Sequence, residues 1–584
     1  MKILMAAAVL AATACSSRQK QDPLALIPQS PPASTDIVNV DFEPGIAQDK
    51  VLAIVSLQGL VNRVKPVIYT YSPNKNYPQG TLRLYEKEGF VTSVRECSDI
   101  MELLAEFREY YSGVVVYDTL RRYTVNLASN IAGLENRVIL SPAMLDEFRS
   151  RVNPDPDVFD LREPGFEDEH SAFEWYMENV FPRQDHRMLG VAKDIYMYDV
   201  IRDYLIASNS PTFWLYREGE EGSYPENLAD ITRIMKSTPS AIPVFGFWTG
   251  VENGQLIGYD EYAGVLYASL FGKYNLPCTW VGSYSYHSGV QTPDRTFVQT
   301  KVRAKEFRRY DPSKKYVALV MVDSGDAPAY YQYDGLLPRQ WDDPYRGKVA
   351  ISYGLGLSMR RLMPGVMRHL YDTATENDYF FSAVGGLGYS YALLGLCDST
   401  AMPEKDYHDY FTLTAANMKA LDMDMMMIYT YAGLTKWSHA DSLKVSRHIA
   451  TMPGLTSVIS GLHRTGYSPA EGNGMIGDGG VTVHHVMNHW SDYDDWELFR
   501  SGLDGDKPAV DHIEAELRGN ALTADFITTM FYSWHYGPRR LWQLQERMRG
   551  DGFEFVTMNE FDHLYRESLT YRAENDKSKT LMNQ

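Results

Sequence analysis

Apolar positions along the chain fall into short runs separated by stretches with helical spacing. A helix-like pattern covers residues 47–62, a strand-like run 67–71, a second helical pattern 82–88, and apolar runs 113–117 and 137–140. Strands that alternate with helices in this way pair in parallel and bury both faces under the helices. The first region is therefore read as α/β and Rossmann-like. The segment 153–170, rich in Pro, Asp and Glu, reads as an exposed connection. A helical stretch near 191–207 then leads to the apolar run 212–216, which closes the region.

From residue 241 the alternation restarts, with apolar runs at 242–248, 278–281, 316–323, 349–353, 379–384, 425–431, 455–460, 481–486, 525–532 and 553–558. Helices separate most of them. One begins at Pro364, a good first-turn residue, and continues through Val366, Met367, Leu370 and Ala374. Strand after helix, repeated this often, specifies a β/α barrel or an open doubly wound sheet, and we favour the barrel. The expected organisation is an N-terminal α/β domain over 41–238 and a β/α-barrel-like domain over 239–575.

The chain of 584 residues is 44% hydrophobic and 22% charged, an ordinary globular composition. Its 56 basic and 75 acidic residues leave a net charge of −19, which disfavours phosphate backbones and argues against nucleic acid as partner. Aromatic residues make up 13%, with 41 Tyr and 10 Trp, rings suited to stacking on sugars. The start, MKILMAAAVLAATAC, places Lys2 before an apolar run too short to anchor a helix in a bilayer, then small residues before Cys15. It reads as a signal over 1–14 with a lipid-bearing Cys15, a tether over 15–40, and a place in the bacterial envelope at the outer membrane. Cys97, Cys278 and Cys397 remain, without a CxxC spacing, so neither a cysteine zinc site nor a disulfide framework is supported.

In such folds chemistry gathers where strands end. The unusual residues fall there: Trp248 and Glu252 after the run at 242, Asp323 and Asp326 after the run at 316, Gly386, Gly388, Tyr389 and Tyr391 after 384, His463 after 460, and Trp534 and His535 after 532. Two acids three apart beyond a buried strand suit general acid–base work, and equally a solvated turn. The glycines allow backbone to approach a ligand closely, or form a tight turn with packed tyrosines. Nucleotide binding is disfavoured because the segment lacks GxGxxG and a GK[ST] ending. His485 and His489 lie in an alternating, strand-like stretch, where they would stand ~13 Å apart at ~3.3 Å per residue, too far to share one metal. The run Met423, Met425, Met426 and Met427 reads as core filling. No GxSxG or HExxH motif occurs.

The segment Ser56-Leu57-Gln58-Gly59-Leu60-Val61-Asn62-Arg63 resembles the N-terminal signature of the GxGYxYP family, a group assigned to glycoside hydrolysis. Gly386-Leu387-Gly388-Tyr389-Ser390-Tyr391 matches its naming motif, with Ala392 where proline is expected. Trp341, Arg346-Gly347, Pro364 and Asn377-Asp378 follow in similar order. The resemblance implies secreted, often lipid-anchored proteins with an α/β N-terminal region, a barrel-like C-terminal region and a role in carbohydrate processing. Where the family pattern suggests Asp-Gly-Asp-Asn, this chain has Ser324-Gly325-Asp326-Ala327, lacking one acid and one amide.

The resulting expectation is a glycan-directed hydrolase that needs no cofactor. Asp326 pairs with either Asp323 or Glu252. Trp248, Trp341, Trp534, Tyr389 and Tyr391 serve as rim rings, Gly386 and Gly388 as close-approach backbone, and His463 and His535 as hydrogen-bonding groups. Carboxyl groups about 5 Å apart favour retention and about 6.5–9.5 Å favour inversion. The alternative is an envelope lipoprotein that binds glycan without cleaving it. A third reading, metal-dependent deacetylation, needs Asp323 or Asp326 to meet two histidines on one ion.

Overall fold

The computed structural model describes residues 27–42, 46–71, 80–193, 201–216, 219–220, 222–246, 249–252, 255–259, 261–277, 282–292, 296–322, 340–391, 404–429, 448–449, 451–461, 473–476, 480–490, 508–533 and 536–582. The N-terminal half holds three small parallel sheets. Strands β1 (Asp36–Asp41), β2 (Ile68–Tyr71) and β3 (Ser93–Glu96) pair in the order β2-β1-β3. Strands β4 (Gly113–Val116), β5 (Arg137–Leu140) and β6 (Val158–Asp160) pair as β5-β4-β6. The third sheet takes β7 (Leu189–Val191), β8 (Thr212–Phe213) and β9 (Pro243–Phe245). After a hairpin of β10 (Thr249–Glu252) and β11 (Gln255–Tyr259), β12 (Tyr274–Leu276) completes it, in the order β12-β9-β7-β8.

Four expectations change here. The tether over 15–40 does not run to residue 40: Ile27 is buried in the core, the Tyr204 and Tyr286 hydroxyls donate to the Pro28 and Ser34 carbonyls, and β1 begins at Asp36. Residues 153–170 are not all connection: β6 lies within them, and the helix Glu169–Asn179 opens at their end, capped by the Asp168 carboxylate on the Ser171 amide. The helical stretch near 191–207 contains the end of β7 and, among the described residues, a helix at Arg202–Ala207. The boundary at 238/239 falls inside a folded unit, because the third sheet draws β7 and β8 from before it and β9 and β12 from after it. Strands of two or three residues carry too few positions for a period to show.

The helix Gln48–Asn62 is buried from Val51 onward; it packs on β2 and β5 and meets the helix Arg202–Ala207 between β7 and β8. Ser56 Oγ accepts from the Ile139 amide of β5. Gln58 Nε2 donates to the Ile68 carbonyl of β2 and to Ser283 Oγ, both at 3.1 Å. Asn62 donates to the Ile68 carbonyl and to Ser285 Oγ while accepting from the Val67 and Ile68 amides. A Cβ on Gly59 would stand 2.5 Å from the Asp203 carbonyl, so the helix Arg202–Ala207 can cross only over a glycine. Arg63 reaches Asn136 and the Gly133 carbonyl. Ser56, Gln58 and Asn62 of the signature are thus spent on buried bonds that would be costly to leave unmade.

Asp203, buried beneath this junction, accepts from the Ser285 amide at 2.9 Å and the Ser285 hydroxyl at 2.6 Å. Burial pushes its carboxyl up to about 7, against the pull of the Ser285 bonds. The folded state therefore keeps a proton that the unfolded chain releases near pH 4, and stability falls as pH rises from about 4 to about 7, then levels off. Asp203→Asn keeps an acceptor for Ser285 and does not titrate. Denaturant unfolding of parent and variant at pH 4 to 8 is expected to show a difference that grows with pH by a few kcal/mol. Parallel curves would refute it.

The C-terminal half is a closed parallel barrel. Its strands are β13 (Lys315–Val322), β14 (Ile351–Leu355), β15 (Asp378–Ser382), β16 (Met425–Tyr429), β17 (Ser457–Gly461), β19 (Val481–Trp490) and β20 (Phe526–Tyr532), with a short β18 (Gly474–Ile476) antiparallel to β19. The order β14-β15-β16-β17-β19-β20-β13 closes because the upper half of β13 pairs with β14. The lower half of β13 pairs instead with β21 (Phe553–Val556). Val320, Phe381, Met427, Ile459 and Met530 belong to one buried cluster, and their alternates Leu319, Phe380, Met426, Val458 and Ile527 to the cluster shared with the surrounding helices. Each of these five strands therefore carries apolar residues on both faces, which is why they read as continuous runs, whereas β19 carries Thr482, His484, His485, Asn488 and His489. Met423 and Met425–Met427 are core, as their pattern indicated. His485 and His489 both lie on β19.

The helix Met558–Met582 closes the bottom of the barrel, with Phe561 packed edge-on to Phe526, the first residue of β20. Asp562, although buried, is held below the usual carboxylate range by His484, Thr482 and Arg566. The N-terminal half docks on the helix Pro364–Thr373, where Gly365 meets Tyr85 and Val290 and His369 bonds Glu88 at 2.9 Å.

Candidate functional site at the strand ends

The barrel order brings the ends of distant segments onto one rim. β13 ends at Val322, directly before Asp323, and β15 ends at Ser382, shortly before the glycine motif. Only β14 separates them, so the two ends lie about 10 Å apart along the wall at ~4.8 Å per strand. β17 ends at Gly461, two residues before His463, and β20 at Tyr532, two before Trp534. Asp323, Asp326, His463, Trp534, His535, Trp248, Ala392 and Cys15 themselves lie outside the described residues. Glu252 ends β10, which packs against the helix Glu261–Leu270 of the third sheet's region rather than belonging to the barrel.

The glycine motif is described from Gly385 to Tyr391, and it bridges the two halves. Tyr389 exchanges both backbone hydrogen bonds with Asn275 of β12, at 2.8 and 2.9 Å. The Tyr391 amide donates to Ser269 Oγ. From the helix Glu404–Ala420, the Tyr410 hydroxyl donates to the Gly385 carbonyl at 2.7 Å and meets Ser390 Oγ at 2.9 Å. Gly385 and Gly386 adopt φ of 82° and 109°. A Cβ on Gly388 would lie 2.5 Å from the Tyr274 ring and 2.9 Å from the Asn275 carbonyl. The glycines are therefore required by the approach of β12 and by the turn itself.

Two groups of rings differ from expectation. Tyr389 and Tyr391 are only 5% and 2% exposed and meet edge to face, so they pack between halves instead of standing open at a rim. Trp341, 2% exposed, stacks on Phe380 on the outer side of the barrel and donates from Nε1 to Thr373 Oγ1. Its other face carries the Arg346 guanidinium at 4.2 Å. Arg346 also bonds the buried Asp378 carboxylate at 2.6 Å, and Asn377 Nδ2 donates to the Gly347 carbonyl. Trp341, Arg346, Gly347, Asn377 and Asp378 form one structural knot at the start of β15, a strand's length from the rim.

Gly388→Ala tests the bridge. It is expected to cost about 1–3 kcal/mol by forcing the loop off β12, read as a lowered Tm. An unchanged Tm would mean that β12 and the loop part freely.

Among the described residues, one group could hold a metal ion: His170, Glu174 and Asp230, with ligand atoms within 4.8 Å of one another. Glu174 is already engaged by Arg233 at 2.7 Å, and Asp230 by the Tyr224 hydroxyl at 3.0 Å. His170 and Glu174 stand one helical turn apart, a spacing readable in the sequence once a helix is assigned there.

The fold and the strand-end rim define an α/β-barrel protein with an appended, three-sheet N-terminal half. The chain belongs to the GxGYxYP family. Residues 313–566 match the "GxGYxYP putative glycoside hydrolase C-terminal domain", 189–289 the GxGYxYP third domain, and 38–109 the GxGYxYP first domain. The third-domain match spans the third sheet, in agreement with its crossing of residue 238. Among solved structures, a crystal structure described as a putative hydrolase from Bacteroides thetaiotaomicron VPI-5482 is similar at 18% identity and a TM-score of 0.70, covering 92% of this chain and 95% of that one. That likeness is one of fold. No curated protein matches the chain.

Proposed function

We propose that the protein is a glycoside hydrolase acting on an extracellular or periplasmic glycan, with its cleft at the C-terminal ends of the barrel strands. The observation that carries this reading is the strand order: β13 and β15, the strands that lead into the acidic turn and the glycine motif, are separated by one strand in a closed barrel. In barrels of this kind the strand-end loops carry chemistry and the opposite end carries stability, and here the opposite end is plugged by the helix Met558–Met582. Asp326 works with Asp323 or Glu252, one carboxyl protonating the leaving oxygen and the other attacking or activating water. Trp248 and Trp534 supply stacking rings, and His463 and His535 hydrogen bonds.

The test is product analysis by mass spectrometry of a glycan panel incubated with protein lacking residues 1–15. Release of shortened oligosaccharides is expected. Binding on a glycan array without any product would instead establish a glycan-binding protein, a reading favoured by the absent acid and amide around Asp326.

The same reading places the protein on an envelope membrane through lipid on Cys15, supported by the apolar run and small residues before that cysteine. No helix among the described residues is long and apolar enough to cross a membrane.

A further inference from the structure

In the N-terminal half, the helices Glu169–Asn179 and Asn227–Ser237 meet at a cluster that the barrel chemistry does not use. His170 and Glu174 stand one turn apart on the first helix and share a side of it. Asp230 comes from the second. His170 Nδ1 lies 2.9 Å from Asp230 Oδ2, and the ligand atoms of all three residues lie within 4.8 Å of one another. Donors held by one ion at about 2.0–2.2 Å stand about 3.3–3.6 Å apart in a tetrahedron, so a shift of about 1 Å by the exposed Glu174 side chain completes the set.

The surroundings favour a cation. The charges of Asp230, Glu174 and Glu226 all bear on His170, and those of Glu169 and Asp230 on the Tyr224 hydroxyl. Burial pushes the Asp230 carboxyl up against the pull of its bonds to His170 and Tyr224, and the Glu174 charge adds to the rise. The Tyr224 bond, at 3.0 Å, orients the Asp230 carboxylate as the outer partners of metal ligands do. The His170 and Glu174 side chains are 38% and 43% exposed, so an ion can enter from solvent and keep water on its remaining side. Two contacts compete with it. One is the hydrogen bond between His170 and Asp230; the other is the Arg233 guanidinium, which meets both Glu174 oxygens at 2.7 and 2.9 Å. That second pair is exposed on both sides, and pairs of this kind contribute little.

We infer that His170, Glu174 and Asp230 bind one divalent cation of the zinc type, which fastens the two helices together. One imidazole and two carboxylates form a mixed donor set that suits a first-row ion. A hard ion such as calcium takes six to eight oxygens and gains nothing from the imidazole. The ion replaces the hydrogen shared by His170 and Asp230, displaces Arg233 from Glu174, and leaves its fourth position to water. The helix Glu169–Asn179 follows β6 of the second sheet, and Asn227–Ser237 follows β8 of the third, so the ion ties one unit of the N-terminal half to the next. Its role is to stabilise that junction. The inference stands on this cluster alone and is independent of whether the barrel cleaves anything.

The test uses untagged protein lacking residues 1–15, stripped with a chelator, and Zn²⁺ as the probe in calorimetric titration and thermal melts. Micromolar binding of an ion is expected, with a rise in Tm of a few degrees that the chelator reverses. His170→Gln and Glu174→Gln are each expected to weaken that binding at least about tenfold, since even the outer partners of metal ligands are worth that much. Arg233→Gln removes the competitor and should tighten binding several-fold, a response opposite in sign to the ligand variants. Tm of each variant without metal, close to that of the parent, shows that the fold is kept. Absence of Zn²⁺ binding would overturn the proposal. So would binding indifferent to His170→Gln, which would assign the ion elsewhere, binding weakened by Arg233→Gln, or a preference for Ca²⁺ over Zn²⁺.

Discussion

Asp326→Asn is expected to abolish product release, lowering turnover by at least about 10³-fold while leaving the Tm within a degree of the parent. The size follows from what the amide lacks: it can neither donate an acid's proton to a leaving oxygen nor attack an anomeric carbon. The unchanged Tm follows from location. Asp326 comes four residues after the end of β13, and β13 ends on the side of the barrel opposite the helical plug, where substitutions affect chemistry before stability. Two companion variants identify the partner. If Asp323 completes the pair, Asp323→Asn matches the loss and Glu252→Gln leaves turnover near normal. If Glu252 does, the pattern inverts. Undiminished turnover in Asp326→Asn would remove this residue, and with it the carboxylate pair, from the mechanism.

The barrel was legible because its strands carry buried apolar residues on both faces: run 316–323 is apolar except for Asp323 and run 525–532 except for Asp525, Thr528 and Thr529, and the observed β13 is shifted by one residue while β20 starts one residue later. The N-terminal half was less legible for the converse reason. β6, β7 and β8 have three, three and two residues, too few for alternation to show, and the first was hidden among prolines and acids. The signature at 56–63 was visible only as a resemblance, yet its physical meaning is open to inspection: Ser56, Gln58 and Asn62 are polar residues on a helix apolar all round, which predicts that each must find a buried partner.

The rings show the opposite failure. A tyrosine beyond a strand end reads the same whether it faces a cleft or a neighbouring domain, and nothing in the motif itself announces that β12 will pair with Tyr389. Trp341 was read as a rim ring on position alone. Its arginine neighbour, five residues on, was the available signal, since an Arg and a Trp in one crossover segment commonly stack.

That knot carries the largest expected stability effect. The Asp378 carboxylate is closed from solvent and accepts from Arg346 at 2.6 Å, with further bonds from the Thr375 amide and hydroxyl. Arg346→Ala would leave this buried charge without its countercharge, and would also strip the face of Trp341 and free the Trp341 carbonyl that accepts from Arg346 Nε at 2.7 Å. Removing one partner of a buried pair costs about 3–5 kcal/mol, here a fall in Tm of about 5–9 °C if the C-terminal half melts as a unit and less if the whole chain does. Arg346→Lys should recover only part of this, because a lysine cannot stack flat on the indole while reaching Asp378 and the Trp341 carbonyl together. The double variant Arg346→Ala, Asp378→Asn separates the causes: if the orphaned charge dominates, it melts above Arg346→Ala alone. A single Arg346→Ala variant melting with the parent would show that the start of β15 is held by its backbone pairing with β14, and that the knot contributes little.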